Sequence, residues 1–259
     1  MSEALHAEWT KLRTLPGTGW LLLGVVAVTV IISAAVSASV SCSSMAACHV
    51  DVTRLSLTGT YLGQAVVAIV AVLAVSGEYA TGMIRTTLAA MPRRTTVLAA
   101  KAAVVTAVTL TAGIPAVLGS VLAGRLILPG HGYTPANGYP VLSLANGTVL
   151  RAAAGTVLYL ALIALLSLGI AAAVRDSAVA IGTVLGLLYL FPILAQVAGS
   201  TGVSRYLQQI GPMTAGLEIQ ASTGLGHLPI APWAGLGVLA AWAAAALLAG
   251  TLLMRLRDA

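Results

Sequence analysis

The run "VLRAAAGTVLYLALIALLSLGIAAAV", from Val149 to Val174, decides the fold class of this chain. Arg151 is its only charged residue, and its apolar positions follow one another without regular alternation. A helix of about 20 apolar residues crosses the ~30 Å hydrocarbon core of a bilayer, whereas a membrane β-strand alternates apolar and polar residues over about 10 positions. The run therefore predicts a transmembrane α-helix.

The composition extends this conclusion to the rest of the chain. Hydrophobic residues make up 59% of the 259 residues and charged ones 8%, against about a quarter charged in globular proteins. We predict an all-α membrane protein with six transmembrane helices in one domain, residues 1–259. The other five predicted spans are Trp20–Val40, Tyr61–Gly77, Thr96–Ala123, Ala178–Ala198 and Trp233–Met254.

The basic residues predict the orientation. Six spans place both termini on one side, and with that side cytoplasmic the inner segments hold nine Lys and Arg residues and the outer segments four. This excess follows the positive-inside rule. We interpret the net charge of +6 as a topology signal and expect no nucleic-acid partner, because the sequence has no basic stripe with interleaved aromatics. The expected location is a bacterial plasma membrane; Ala richness and Arg in place of Lys suggest an actinobacterium.

Residues 1–17 are predicted to form an amphipathic helix at the membrane surface, ahead of the six-span part, residues 18–259. Leu5, Trp9 and Leu12 fall on one helical stripe, with Trp9 at headgroup level. Pro16 and Gly17 are expected to end this helix. A disordered tail is the alternative. The first span is too long for a cleaved signal peptide, whose apolar core has about 7–15 residues.

Two of the loops between spans are distinctive. The first outer loop, Ser41–Thr60, carries the only two cysteines, Cys42 and Cys48. Disulfides persist on the outer side of the membrane, so a bridge and two free thiols are both open. The spacing of these cysteines matches no standard zinc site, and no metal is expected. The segment Gly199–Pro232 is too polar to span and predicts short outer helices, with the option of dipping into the bilayer where protein shields them.

The sequence carries no recognisable catalytic or nucleotide-binding motif. It has no H-E-x-x-H zinc motif, no G-x-S-x-G elbow and no P-loop. The acids outside the tails fall at predicted span ends or in loops, whereas an ion-coupled carrier has ionisable groups at mid-membrane depth. We expect neither an enzyme nor a cofactor on this chain, with a secondary carrier and an intramembrane enzyme as alternatives. These four acids are Asp51, Glu78, Asp176 and Glu218.

The segment between the second and third predicted spans concentrates charge. In "SGEYATGMIRTTLAAMPRR", Ser76–Arg94, the spacing i, i+4, i+7 predicts that Glu78, Gly82 and Arg85 share one helical face. Gly82 would leave a notch in that face, and Pro92 would end the helix. Arg93 and Arg94 are expected at the cytoplasmic headgroups, and the alternative given next includes a Lys101 side chain that snorkels to the same level. An ordinary positive-inside loop is the alternative.

This segment, extended to Lys101, resembles the connection between the second and third spans of ABC type-2 exporter permeases. In that family the pattern E-x-x-x-G-x-(I/L)-R is followed by Leu, Pro, Arg and Lys. "EWTKLRT", Glu8–Thr14, is similar to the interfacial helix that opens these permeases. The resemblance implies that the segment is a coupling helix. The positions that match the pattern are Glu78, Gly82, Ile84, Arg85, Leu88, Pro92, Arg94 and Lys101.

The resemblance also implies partners and a role. A separate cytoplasmic ATPase, in two copies, would bind ATP and Mg²⁺ and drive a pair of permeases, identical in a homodimer. Coupling to the ATPase would involve Glu78, Gly82, Arg85, Pro92 and Arg93. The cargo would be an amphipathic small molecule, peptide or lipid moved out of the cell; export of an antibiotic would confer resistance.

Two further pairs of residues are weaker candidates. Gly182 and Gly186 form a G-x-x-x-G pattern suited to subunit packing, although chance produces it readily in so Ala- and Gly-rich a chain. Tyr189 and Gln196 are polar residues in the fifth span and could face a substrate path. An interhelical hydrogen bond is the alternative for both side chains.

Overall fold

The computed structural model describes residues 16–42, 48, 50–80, 82–83 and 94–256. Throughout these residues the regular secondary structure is helical, and no strand is found in them. The α-helices are α1 (Pro16–Ser39), α2 (Val52–Ser56), α3 (Thr60–Ala80), α4 (Arg94–Ile127), α5 (Gly147–Val174), α6 (Ser177–Val197), α7 (Thr201–Ile210), α8 (Pro212–Leu217) and α9 (Pro232–Leu256).

Among the described residues, six helices are long and apolar enough to cross a membrane, which agrees with the number of spans predicted from the sequence. The third span was predicted to end at Ala123, but it continues through Ile127 into a 3-10 turn, Leu128–His131. Gly124 does not end the helix. Its missing side chain instead lets α4 pack closely against Ser56, since a Cβ on Gly124 would lie 2.5 Å from the Ser56 Cβ. The six are Gly19–Ser39, Thr60–Tyr79, Thr95–His131, Gly147–Val174, Ser177–Val197 and Pro232–Met254.

The start of α1 differs from the sequence prediction. Pro16 and Gly17 were expected to end a surface helix, yet α1 begins at Pro16. A proline is well suited to the first turn of a helix, where its missing N–H has no intrahelical partner to lose. The predicted surface helix itself falls on residues 1–15, which lie outside the described residues.

Helix α5 lies at the centre of the fold. It packs against α3, α4, α6 and α9, and 61% of its most apolar window is buried, against 22% for the spans of α1, α6 and α9. A helix that is apolar on all sides belongs in the interior. The largest buried side chains of α5 include Tyr159, Leu160, Ile163 and Leu166.

Glycines allow α5 and α9 to approach backbone to backbone. A Cβ on Gly169 would lie 2.5 Å from the carbonyl carbon of Ala246, and one on Gly250 would lie 2.7 Å from the carbonyl oxygen of Gly169. Small residues at such crossings increase the van der Waals contact on which helix association in lipid depends.

The segment between α6 and α9 packs closely against the long helices. A Cβ on Gly216, in α8, would lie 2.7 Å from the Tyr159 ring, and one on Gly155 would meet Ile219 at 2.1 Å. Residues 211–221 are buried, except for the partly exposed Thr214. The short helices predicted for this segment are therefore present as α7 and α8, and α8 packs against α5, α6 and α9. Their position on the outer side of the membrane stays a prediction.

We expect Gly169→Ala to lower the free energy of unfolding by about 1–3 kcal/mol, the usual cost of overpacking. The variant should therefore have a lower melting temperature than the wild-type protein when both are purified in detergent. The added methyl group would meet the backbone of α9. The matched control is Gly237→Ala in α9, where nothing lies within 4 Å of the new Cβ and alanine favours the helix. Equal melting temperatures for the two variants would contradict this account of the α5–α9 crossing.

Candidate functional site: paired charges and a groove

The helices present two ends. At the connector end, α3 ends at Ala80 and α4 begins at Arg94; at the opposite end, named the disulfide end, α1 ends and α3 begins. In α3, 21 residues separate the two ends, which is about 30 Å at 1.5 Å per residue.

A buried ion pair joins α3 to α4 at the connector end. Lys101 Nζ lies 2.7 Å from Glu78 Oε1, and the two side chains are 4% and 8% exposed. The alternative interpretation, a positive-inside loop, had Lys101 snorkelling to the headgroups, and that part of it is wrong because Lys101 is buried against Glu78. Glu78 therefore fastens α3 to α4. A contact between Glu78 and an ATPase stays a prediction.

The predicted helical face from Glu78 to Arg85 is interrupted. Helix α3 ends at Ala80, and Gly82 has a φ of +69°. Glycine adopts this left-handed conformation at little cost and commonly terminates helices. Periodicity continued across Gly82 was therefore the wrong assumption. No atom of the described residues lies within 4 Å of the position that a Gly82 Cβ would take. Arg85, Pro92 and Arg93 lie outside the described residues.

The turn between α5 and α6 is tied to the same end of α3. Ser177 and Ser76 are joined by a hydrogen bond of 2.7 Å between their hydroxyl oxygens. The Arg175 guanidinium lies 5.4 Å from the centre of the Tyr79 ring, within the range of a cation–π interaction. Asp176 caps α6 by accepting a hydrogen bond from the Val179 N–H at 2.8 Å. The connector, residues 81–93, thus starts beside the α5–α6 turn and the Glu78–Lys101 pair that joins α3 to α4.

At the disulfide end, Cys42 and Cys48 are joined in a disulfide, which decides between the two alternatives left by the sequence. The Cys42 N–H donates to the His131 carbonyl at 2.9 Å, and the Tyr139 hydroxyl donates to the Cys48 carbonyl. The bridge is therefore held against the loop between α4 and α5. Among the described residues, no group of three or more His, Cys, Asp or Glu side chains could hold a metal ion.

A second ion pair joins α2 to the segment after α8. Arg54 Nη2 lies 3.0 Å from Glu218 Oε1, and Glu218 is buried. Burial lowers the pKa of Arg54, but the Glu218 carboxylate and its hydrogen bond outweigh this effect and raise the pKa above its ordinary value. The pair thus links two segments that are distant in the sequence.

Asp51 reinforces this link. Its carboxylate caps α2 by accepting from the N–H groups of Thr53 at 3.0 Å and Arg54 at 3.2 Å. It also accepts from the Ser222 hydroxyl at 2.6 Å, the Thr223 N–H at 2.9 Å and the Ser222 N–H. Sequence reasoning missed both links. The available signal was the scarcity of acids, since an acid beside lipid needs a partner, but the sequence did not identify which partner.

Neutral hydrogen bonds join the helices deeper in the fold. Gln64 is fully buried; its amide donates to the Tyr61 carbonyl and accepts from the Tyr159 hydroxyl. The Tyr189 hydroxyl also donates to the Tyr61 carbonyl. Tyr189 thus makes the interhelical hydrogen bond that was the alternative to a role in a substrate path.

Gln196 occupies a different position, at the junction of two clefts at the disulfide end. One cleft of about 260 Å³ extends between α6, α8 and Arg54. It shares Ala195, Gln196 and Gln208 with a second cleft of about 450 Å³ between α6 and α7. We name the two adjoining clefts the Gln196 groove. A third cleft, of about 600 Å³, shares Arg54 and Tyr61 with the first.

Gly182 and Gly186 lie on an exposed face of α6. A Cβ at either position would have no atom within 4 Å, so neither glycine serves packing among the described residues. Their use in a contact between subunits stays a prediction.

No protein-family model and no curated protein matches this sequence. What the chain does must therefore be inferred from its own residues.

The Glu78–Lys101 pair is expected to show energetic coupling in a double-mutant cycle. Glu78→Ala alone leaves the Lys101 charge buried without its carboxylate, a change that typically costs about 3–5 kcal/mol. Lys101→Met alone leaves the Glu78 carboxylate buried without its ammonium partner. The double variant should be less destabilised than the sum of the two by about 1 kcal/mol or more, measured as thermal stability in detergent.

The control cycle combines Glu78→Ala with Arg125→Ala, an exposed position at the far end of α4. Distant substitutions add within about 0.5 kcal/mol. Additive behaviour in both cycles would mean that the Glu78 and Lys101 side chains stabilise the fold independently.

Proposed function

We propose that this chain is the membrane-spanning permease subunit of an ATP-binding cassette exporter whose ATPase is a separate protein. The observation that carries the proposal is the buried Glu78–Lys101 pair, since it joins α3 to α4 on either side of the segment that resembles a family coupling helix. The six apolar helices agree with the span number of such permeases. The P-loop, absent from this sequence, would be supplied by the partner together with ATP and Mg²⁺.

The contacts at the connector end suit the transmission of movement. A displacement of residues 81–93 reaches α3 and α4 through the chain itself, and the ion pair constrains both helices to follow together. The Ser76–Ser177 hydrogen bond and the Tyr79–Arg175 contact extend the constraint to the α5–α6 turn. Close-packed interiors transmit such displacements because they compress little.

The connector itself carries the groups that would meet the ATPase. Arg85 and Arg93 would form charge-assisted hydrogen bonds to acidic groups on the ATPase. Gly82, whose missing side chain leaves a position free of described atoms, would permit a close approach, and Pro92 would set the direction of the chain into α4. Glu78 would act indirectly, by holding the base of the connector.

The proposed assembly has two ATPases and two permeases in a bacterial plasma membrane, with both termini of this chain cytoplasmic. The exposed face of α6 with Gly182 and Gly186 is the candidate contact between permeases in a homodimer. The proposed cargo is an amphipathic small molecule, peptide or lipid.

One observation favours a second candidate, a secondary carrier. Glu78 and Glu218 are both buried carboxylates, and carriers use buried ionisable groups to couple transport to protons or other ions. Each is paired with a base, however, at an end of α3, and neither lies at mid-span.

We expect single cysteines, introduced after replacing Cys42 and Cys48, to report the proposed topology. Cysteine at Gly130, an exposed position at the disulfide end, should react with an impermeant thiol reagent in intact cells. Cysteines at Arg93 and Arg255 should react only after the membrane is permeabilised, because both positions follow the positive-inside rule. Labelling of Arg93→Cys from outside would place the connector on the wrong side for a cytoplasmic ATPase.

The coupling role is tested on the tagged chain purified from membranes of its own organism. Wild-type protein should co-purify with a vanadate-sensitive ATP hydrolase. Arg85→Glu should reduce the recovered hydrolysis by more than tenfold, because reversing a charge in a desolvated contact costs about 2–5 kcal/mol. Arg93→Ala should reduce it less, since Arg94 is adjacent.

Arg125→Ala is the control, an exposed arginine at the opposite end that should retain full hydrolysis, and each variant is compared at equal melting temperature. Wild-type protein without associated ATPase, together with uptake of a fluorescent alkyl phosphate by ATP-depleted vesicles under a proton gradient, would favour the carrier instead.

A further inference from the structure

The Gln196 groove has a polar half and an apolar half. The polar half lies between the end of α6 and α7, and the apolar half between α6, α8 and Tyr61. Together they reach the size of small-molecule sites, about 300–1,000 Å³. The polar half is lined by Gln196, Ser200, Ser204, Arg205, Gln208 and His227. The apolar half is lined by side chains that include Pro192, Met213 and Leu217.

The charges of the groove leave one unopposed cation. In the apolar half, Arg54 is neutralised by Glu218 at 3.0 Å. The polar half has no carboxylate among its lining residues. Arg205 is exposed there, and among the described residues it has neither a hydrogen bond nor a salt bridge. The electrostatics of the polar half therefore favour an anion.

The polar half also presents hydrogen-bond donors. The Ser204 hydroxyl is occupied, because it donates to the Ala195 carbonyl at 2.8 Å, and the Gln208 amide donates to Ser204 at 3.3 Å. The Gln196 amide has no hydrogen-bond partner among the described residues. Two amide N–H groups from Gln196 and the N–H groups of the Arg205 guanidinium could thus surround the oxygens of one anionic group.

Exposed aromatic residues near this half favour a position at the level of lipid headgroups. Tyr206, next to Arg205, is 61% exposed, and Trp233, at the start of α9, is 58% exposed. Exposed Tyr and Trp at the ends of spans mark the boundary between hydrocarbon and water. Val197, the last residue of α6, is exposed as well. A ligand in the groove would thus have its polar part at the headgroups and its apolar part between helices.

We propose that the Gln196 groove binds an amphiphile with an anionic, phosphate-type headgroup. The headgroup contacts Arg205 and Gln196, and the apolar tail extends past Pro192 towards Met213 and Leu217. The proposal deepens the transport proposal by naming a ligand class, and it rests on that proposal only for the idea that the ligand is cargo. Binding itself requires no ATP and is measured on this chain alone.

The test is photo-crosslinking of the full-length protein, purified in an uncharged maltoside detergent, with a diazirine-bearing alkyl phosphate. We expect the label in peptides from α6, α7 and α8. Excess dodecyl phosphate should suppress labelling, whereas the same concentration of dodecyltrimethylammonium or inorganic phosphate should not. The first competitor differs in headgroup charge, and the second lacks the tail.

Variants assign the headgroup contact. Arg205→Ala should reduce labelling roughly tenfold, the size expected for the loss of a charge-assisted hydrogen bond, and Arg205→Lys should retain part of it. Arg125→Ala, which removes an exposed arginine from the same end of the fold outside the groove, should have no effect. All variants are compared at equal melting temperature, so that loss of fold is not mistaken for loss of binding.

Where labelling is observed, three results would overturn the proposal. They are equal suppression by the cationic competitor, suppression by inorganic phosphate, and unchanged labelling of Arg205→Ala. Labelling as expected in a protein that recruits no ATPase would leave this binding site standing and remove the exporter. Absence of labelling from a protein that does recruit an ATPase would remove this binding site and leave the exporter proposal standing.

Discussion

The cost of placing a charge in an apolar environment governs the arrangement of this chain. Even after relaxation, a buried ion without a partner costs several kcal/mol, and lipid offers no water to compensate. The two buried acids, Glu78 and Glu218, accordingly pair with bases, and the two more exposed acids cap helices. Glu78 pairs with Lys101 and Glu218 with Arg54, while Asp51 and Asp176 cap α2 and α6 through backbone N–H groups.

Helix α3 runs between the connector end and the disulfide end of the fold, and these links lie near its two ends. Its connector end is joined to α4 by the Glu78–Lys101 pair, and its first residues follow α2, which carries Arg54. Between the ends, the described contacts of α3 are apolar or neutral, as with Gln64 and Tyr159. An ion pair thus holds α3 at its connector end, a second ion pair holds α2 just before its other end, and apolar packing lies between them.

The sequence predicted the spans because the signal for a span is local. A run of some 20 apolar residues specifies a helix without reference to the rest of the chain, and the six helices confirm it. The partners of the charges could not be predicted, because they are set by tertiary packing; Arg54 and Glu218 are 164 residues apart. The proposed helical face through Gly82 failed for a local reason, since glycine can reverse the sign of φ and periodicity alone does not reveal this.

The groove was only partly predictable for the same reason. Gln196 is conspicuous as a polar residue in an apolar span, and the sequence identified it as a candidate. The cleft around it, however, depends on α7 folding back beside α6 through the Ser204–Ala195 hydrogen bond. Sequence reasoning treated Arg205 only as a charge in an outer segment, and nothing in its local pattern associates it with Gln196.

The Arg54–Glu218 pair also divides the clefts, because Arg54 lines both the Gln196 groove and the third cleft beside Asp51. Buried ion pairs contribute little net stability, but an arrangement that separates the charges is costly. We therefore infer that the pair fixes the segment after α8 in one register over α2.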